Sequence, residues 1–383
     1  MLFRTVRFVS AVVCMKNFGA MAGRFLPAAL LIGGQLFIMA QNETTSRWLE
    51  KAGPVPKVKI PEKRITWQQD RSKMRTELVR LLGKLPPRPA HPEVITLYRE
   101  DRGEYWLEKF QFDNEAGANV PGYLFIPKNR TGKVPAILYC HWHGGEYDIG
   151  KEEMLQARHT PEPPGPALAR RGYVVLGIDA YCFGERNGQG PGGPVEKGAA
   201  GELSATKFNL WFGRTLWGMI LRDDLMALDY LATRPEVDPE QIGVTGISMG
   251  ATRTWWLMAL DERLKAGVAV ACLTRYQDLI EDAAMNQHGI YYYVPDVLTH
   301  FDTEGIVSLI APRAVLFLTG DRDKGSPVSG IHKIEETVRQ AYALYGAPVN
   351  FESVIFPNTG HEYLPEMWTR MFQWMDRNLK TTR

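Results

Sequence analysis

Cysteine is scarce, with four in 383 residues. One falls in an N-terminal stretch that reads as a targeting segment. The remaining three, Cys140, Cys182 and Cys272, are an odd number and cannot form a complete disulfide framework. Stability must then come from a core, and a composition of 45% hydrophobic and 23% charged residues is enough for one large core with at most a small appendage. Charge of one sign is lacking too. A net charge of +2, without a basic run interleaved with aromatics, argues against nucleic acid or an anionic surface as partner. No internal repeat occurs at solenoid or propeller spacing, and no His-Glu-x-x-His occurs anywhere.

Arg24 precedes an apolar stretch, Phe25 to Met39, and Ala40 offers a cleavage point before Gln41-Asn42-Glu43. This pattern predicts a signal peptide or targeting segment over 1–40 and a secreted or periplasmic protein. An uncleaved membrane anchor is the alternative, and no stable membrane insertion is expected after cleavage. An earlier apolar run, Phe8 to Met15, leaves Met21 as an alternative start. Residues 41–91 read as an N-terminal extension in which Thr66 to Gly83 has helical apolar spacing, stopped by Gly83 and Pro86-Pro87. The main domain then spans 92–383.

That domain begins with three strands, Val94 to Arg99, Tyr105 to Phe112 and Val120 to Ile126. Strands then alternate with helices, notably Leu216 to Thr233, which predicts a mostly parallel central sheet with helices on both faces. Asp223 and Asp224 in that helix read as structural charges. The most informative stretch is Gly246-Ile247-Ser248-Met249-Gly250, between a predicted strand, Gln241 to Thr245, and a predicted helix, Met249 to Leu260. A serine between glycines at a strand-to-helix turn is a nucleophile elbow: its hydroxyl stands clear of the backbone, and the Met249 amide faces a developing oxyanion. Serine needs a base held by a carboxylate. The apolar run Ala314 to Thr319 reads as a buried strand with Asp321 and Asp323 beyond its C-terminal end, where groups gather in α/β sheets. Asn350 to Phe356 reads as one more strand, leading to His361 on the loop before a final helix, Leu364 to Asn378. Of the eight histidines, only His361 has this setting near the C-terminus.

These residues resemble an α/β-hydrolase of the branch that contains acetyl xylan esterase-like, dienelactone hydrolase-like and prolyl-oligopeptidase-like enzymes. The resemblance covers roughly Pro92 to the C-terminus, with the chain order Ser, Asp, His. It implies the α/β-hydrolase fold, a Ser248, Asp323, His361 triad and no cofactor. The acid of the family sits in a Gly-x-x-Asp-x-x-x-Pro pattern, here Gly320, Asp323 and Pro327, which favours Asp323 over Asp321. Dienelactone hydrolases proper carry cysteine at the elbow, so Ser248 argues for ordinary carboxylic esters.

The strand Val134 to Cys140 is followed by His141-Trp142-His143-Gly144-Gly145, similar to the His-Gly-Gly loop of lipases and esterases. Gly145 is the expected second oxyanion donor, with Gly144 the alternative. His141 and His143, two apart, also suit zinc, but no further histidine lies at metal spacing, and no metal is expected. A literal G-x-G-x-x-G at Gly188 to Gly193 fails as a dinucleotide fingerprint: it lies well beyond the strand Tyr173 to Asp179, and Pro191 and Pro194 make it a surface loop. Arg186, in an Asp-x-x-x-x-Gly-x-Arg run from Asp179, is a candidate for an anionic part of the substrate, against an ion pair with Glu185 or Asp179.

Leu273 to Thr303 departs from a minimal hydrolase and is where a lid or pocket wall belongs. Its Tyr291-Tyr292-Tyr293 run and Trp211 offer aromatic faces for a sugar ring or an acyl group, with Tyr292 and Trp211 as the expected contacts, whereas Trp255 and Trp256 read as core. The resemblance implies a serine carboxylic-ester hydrolase acting on a carbohydrate or similar small ester. A prolyl-oligopeptidase-like peptidase is one alternative, although the segment before Pro92 is too short for a propeller. A non-catalytic carbohydrate-binding relative is another.

Overall fold

The computed structural model describes residues 44–380; the predicted targeting segment over 1–40 lies outside them. Nine strands form one sheet in the order β1-β2-β3-β5-β4-β6-β7-β8-β9. The first three, β1 (Val94–Asp101), β2 (Tyr105–Asp113) and β3 (Asn119–Pro127), are antiparallel, and β3 also runs antiparallel to β5 (Val174–Ile178). From β5 onward every pairing is parallel, through β4 (Val134–Cys140), β6 (Val237–Ile247), β7 (Leu264–Val270), β8 (Ala314–Gly320) and β9 (Phe351–Phe356). Sequence explains the placement. All seven residues of β8, Ala-Val-Leu-Phe-Leu-Thr-Gly, are buried, as a parallel strand covered on both faces requires. The outermost strand β1 is largely exposed and ends in Arg99-Glu100-Asp101, charges that discourage further pairing at a free edge.

Seven helices bear on the core and the site: α1 (Arg64–Leu81), α2 (Pro164–Arg170), α3 (Ala199–Trp211), α4 (Leu216–Thr233), α5 (Met249–Leu260), α6 (Val328–Leu344) and α7 (Pro365–Leu379). On one face of the sheet Trp67 and Leu78 of α1, Trp217 and Leu228 of α4, Trp255 and Trp256 of α5 and Ile334 of α6 share one apolar cluster. On the other face Leu168 of α2 and Met367, Met371 and Met375 of α7 form a second. The N-terminal extension therefore docks on the main core, with Trp67 wholly buried.

Most boundaries shift by a residue or two from those the sequence predicts, and two of the differences have a local cause. β6 begins at Val237, earlier than expected, because Val237 pairs with Val134 across a register shift before the regular ladder starts at Ile242. Asn350 ends a short turn, Pro348–Asn350, and the last strand begins one residue later. Among the described residues no helix is long and apolar enough to cross a membrane.

Candidate active site

β6 ends and α5 begins at a single residue, Ser248, whose backbone is held at φ 59 and ψ −119. That is a costly conformation for a residue with a Cβ, of the kind that survives only where the surroundings over-determine it. Here they do. The Ser248 N–H donates to Val270 O at 2.9 Å, and Ser248 O accepts from Thr252 at 3.0 Å. The flanking glycines answer a close approach: a Cβ at Gly246 or Gly250 would fall on the carbonyl oxygen of Cys140, at the end of the neighbouring strand β4. Met249, as the first residue of α5, has an N–H without an intrahelical acceptor, next to the serine.

The C-terminal ends of β8 and β9 bring the partners. His361 Nε2 lies 2.8 Å from Ser248 Oγ, and His361 Nδ1 lies 2.8 Å from Asp323 Oδ2. The carboxylate can only accept at Nδ1, so that nitrogen carries the proton and Nε2 is left to accept from the serine. Asp323 is nearly buried, and its second oxygen accepts the Gly325 N–H at 2.9 Å. Asp321 points elsewhere: it accepts from Thr359 N at 3.1 Å and braces the turn that leads to His361.

The loop after β4 is held by buried polar groups. His141 donates from Nδ1 to Trp142 O at 2.7 Å and accepts the Ala180 N–H on Nε2 at 3.0 Å, while burial pushes its imidazole well below the ordinary range. Glu153, wholly buried, accepts from Trp142 N at 2.9 Å and from the Tyr139 hydroxyl, and burial raises its carboxyl to about 7. Beneath them Arg253 and Asp224 form an ion pair with both side chains at 0% exposure, the Nε–Oδ2 distance being 2.8 Å.

Several expected contacts are corrected. Gly145 lines the catalytic cavity as expected, but its N–H is engaged, donating to His143 Nδ1 at 3.0 Å. His143 in turn donates from Nε2 to the buried Glu202 of α3 at 2.8 Å. All ring nitrogens of His141 and His143 are thus engaged by protein groups. Arg186 is buried, paired with Asp223 at 2.9 Å and donating to Asp179 O at 3.0 Å, so it is not free for substrate. Its expected partners are taken by Lys151, which bridges the carboxylates of Asp179 and Glu185. Trp211 ends α3 at 87% exposure and is not a wall of the pocket. Tyr292 is buried and stacks behind His288 with ring centroids 4.1 Å apart; its neighbour Tyr291 faces the pocket and stacks on His143 at 4.8 Å.

The resulting cavity, about 500 Å³, is lined by Ser248, His361, Asp323, His143, Tyr291 and the segment Asn286 to Gly289, together with Cys272, Arg322 and Lys324. Burial pushes the Cys272 thiol up, which leaves it a poor nucleophile beside the serine. The sequence marked Leu273 to Thr303 as a pocket wall but not His288. Nor did it mark Glu202 or Cys272, whose placement depends on helix and strand packing.

A Bacillus subtilis (strain 168) protein, YtaP, named as a hydrolase, is 39% identical over 279 residues, 72% of this chain and 89% of that one. The glucuronoyl esterase from Solibacter usitatus superposes with a TM-score of 0.63 at 14% identity, over 85% of this chain and 99% of that one. A Bacteroides fragilis NCTC 9343 structure named as an acetyl xylan esterase gives 0.60 at 21% identity, over 90% of this chain and 87% of that one. These two likenesses are of fold. The Abhydrolase family model matches residues 48–378, and with a serine at the strained elbow of a parallel sheet the chain belongs to that family, as a hydrolase of the α/β-hydrolase fold.

Proposed function

We propose that the protein is a serine carboxylic-ester hydrolase that works through an acyl-enzyme on Ser248. The observation that carries this reading is the continuous relay from Ser248 Oγ to His361 to Asp323, with both contacts at 2.8 Å. His361 accepts the serine proton as Oγ attacks the ester carbonyl. The tetrahedral oxyanion receives the Met249 N–H and one loop amide at His143 or Gly144, since Gly145 is engaged elsewhere. Collapse expels the alcohol, protonated by His361, and water repeats the cycle to release the acid. Asp323 holds the ring in its Nδ1–H tautomer throughout. The pocket, of about 500 Å³, suits a small ester, and deacylation of a carbohydrate is the substrate class proposed, in keeping with the esterases whose fold the chain shares.

The test is a panel of acetylated sugars, short aryl esters and peptidyl amides assayed with the full chain and with Ser248→Ala. The variant is expected to fold normally and to retain less than about a thousandth of the wild-type turnover, and a fluorophosphonate is expected to label Ser248. Chelators are expected to leave activity unchanged. Retention of about a tenth of activity by Ser248→Ala, or loss with chelator and recovery with added metal, would place the chemistry elsewhere.

A further inference from the structure

The wall of the catalytic pocket carries an imbalance of charge. Asp323 is its one carboxylate among the described residues, and it is already matched by His361 and the Gly325 amide. Arg322 and Lys324, on either side of Asp323, both line the same cavity. The guanidinium of Arg322 reaches only the neutral Asn358 side-chain oxygen, and among the described residues the Lys324 ammonium has neither a carboxylate nor a hydrogen-bond acceptor. Several cations elsewhere on the surface are paired, Arg158 with Glu146 at 2.8 Å, Lys333 with Asp278 at 2.8 Å and Lys109 with Glu185 at 2.9 Å, while others such as Lys197 and Lys207 have no carboxylate partner among the described residues.

The two cations also stand on a fixed platform. Arg322 N donates to Thr359 O at 2.8 Å, Ser326 N to Asp323 O at 3.0 Å, and the Thr274 hydroxyl to Gly325 O at 2.6 Å. Asn286 and Gln287 line the same cavity and add neutral amides to its wall, the Gln287 amide donating to Asn286 Oδ1 at 3.3 Å. Concave walls concentrate the field of such charges on what enters.

Resting on the acyl-transfer reading above, we propose that the natural ester is anionic, with a carboxylate that Arg322 and Lys324 hold beside Ser248. Half-esters of dicarboxylic acids and acylated acidic sugars share this chemistry. They differ in whether the charge lies in the acyl part or in the alcohol part.

Two matched pairs separate these sources. Monophenyl adipate against its carboxamide puts the charge in the acyl part, and acetoxybenzoate against acetoxybenzamide puts it in the alcohol part. The expected result at low salt is a preference of about tenfold in kcat/KM for the anion in one pair, equivalent to about 1.4 kcal/mol, which is what one solvent-facing charge pair supplies. The preference is expected to shrink as salt screens the site. In the double variant Arg322→Gln, Lys324→Gln the anion-to-neutral ratio is expected to fall toward one. A wild-type ratio at or below one in both pairs, or a ratio unchanged in the variant, would overturn the proposal. If neither pair is turned over, the same criterion passes to equilibrium binding of adipate and benzoate by calorimetry. Binding of these anions to Ser248→Ala reads the subsite even if the nucleophile proves to lie elsewhere, so the two readings fail separately.

Discussion

Replacing Asp323 by asparagine changes one atom, and the surrounding hydrogen bonds dictate which. The Gly325 N–H donates to Asp323 Oδ1 at 2.9 Å, so the asparagine must keep its oxygen at that position and turn its NH₂ toward His361. A donor then faces Nδ1, which lies 2.8 Å from the present Oδ2. The imidazole answers by accepting on Nδ1 and carrying its proton on Nε2, where it meets Ser248 Oγ at 2.8 Å and can no longer take the serine proton. Loss of the base by tautomer inversion in a serine triad costs on the order of 10⁴ in kcat, or about 5 kcal/mol of barrier. The fold is expected to survive, since packing and the Gly325 contact are retained. The assay is steady-state hydrolysis of an activated acetyl ester, with circular dichroism and thermal melting as fold controls. Asp321→Asn is the comparison: it loses only charge in a contact to Thr359 N and is expected to stay within about tenfold of wild type. Asp323→Asn activity within tenfold of wild type, or a larger loss in Asp321→Asn, would refute the reasoning.

Two further outcomes concern the buried charges beneath the loop. Burial works against the Arg253 charge and Asp224 more than restores it, so Asp224→Ala strands a cation in the core; a loss of about 3–5 kcal/mol in chemical denaturation is expected, and a loss below about 1 kcal/mol would mean that water or another group reaches Arg253. For Glu153, burial raises the carboxyl from 4.5 to about 7, so the folded state binds the extra proton and stability falls as pH rises through that window. Glu153→Gln removes the titration: its melting temperature relative to wild type is expected to rise between pH of about 5 and about 8, by the equivalent of a few kcal/mol at most, whereas a pH-independent difference would contradict the assignment.

Much of this architecture was written in local pattern. The elbow was legible because its requirement is local: a strand, a glycine-flanked serine and a helix within a few residues force Ser248 into its strained geometry wherever the sheet lies. The parallel strands were legible for the same reason, since a strand buried on both faces must be a continuous apolar run, as β8 is. His361 followed from chain order and from the strand that precedes it. Other decisions belong to tertiary structure. Asp321 and Asp323 sit in one turn, and only the approach of the loop at Thr359 draws the first away and leaves the second beneath the imidazole. Tyr291 and Tyr292 are adjacent, yet the turn at Ile290–Tyr292 sends one ring to the pocket and the other behind His288. Arg186 is silenced by Asp223, which α4 carries in from a distant part of the chain, and Gly145 loses its amide to an imidazole that Glu202 of α3 holds in place. Sequence periodicity determines which side of an element is apolar, and thereby the sheet, the helices and the elbow. Which polar groups finally meet depends on how those elements pack, because a buried charge or amide takes whatever partner the packing brings within hydrogen-bond reach.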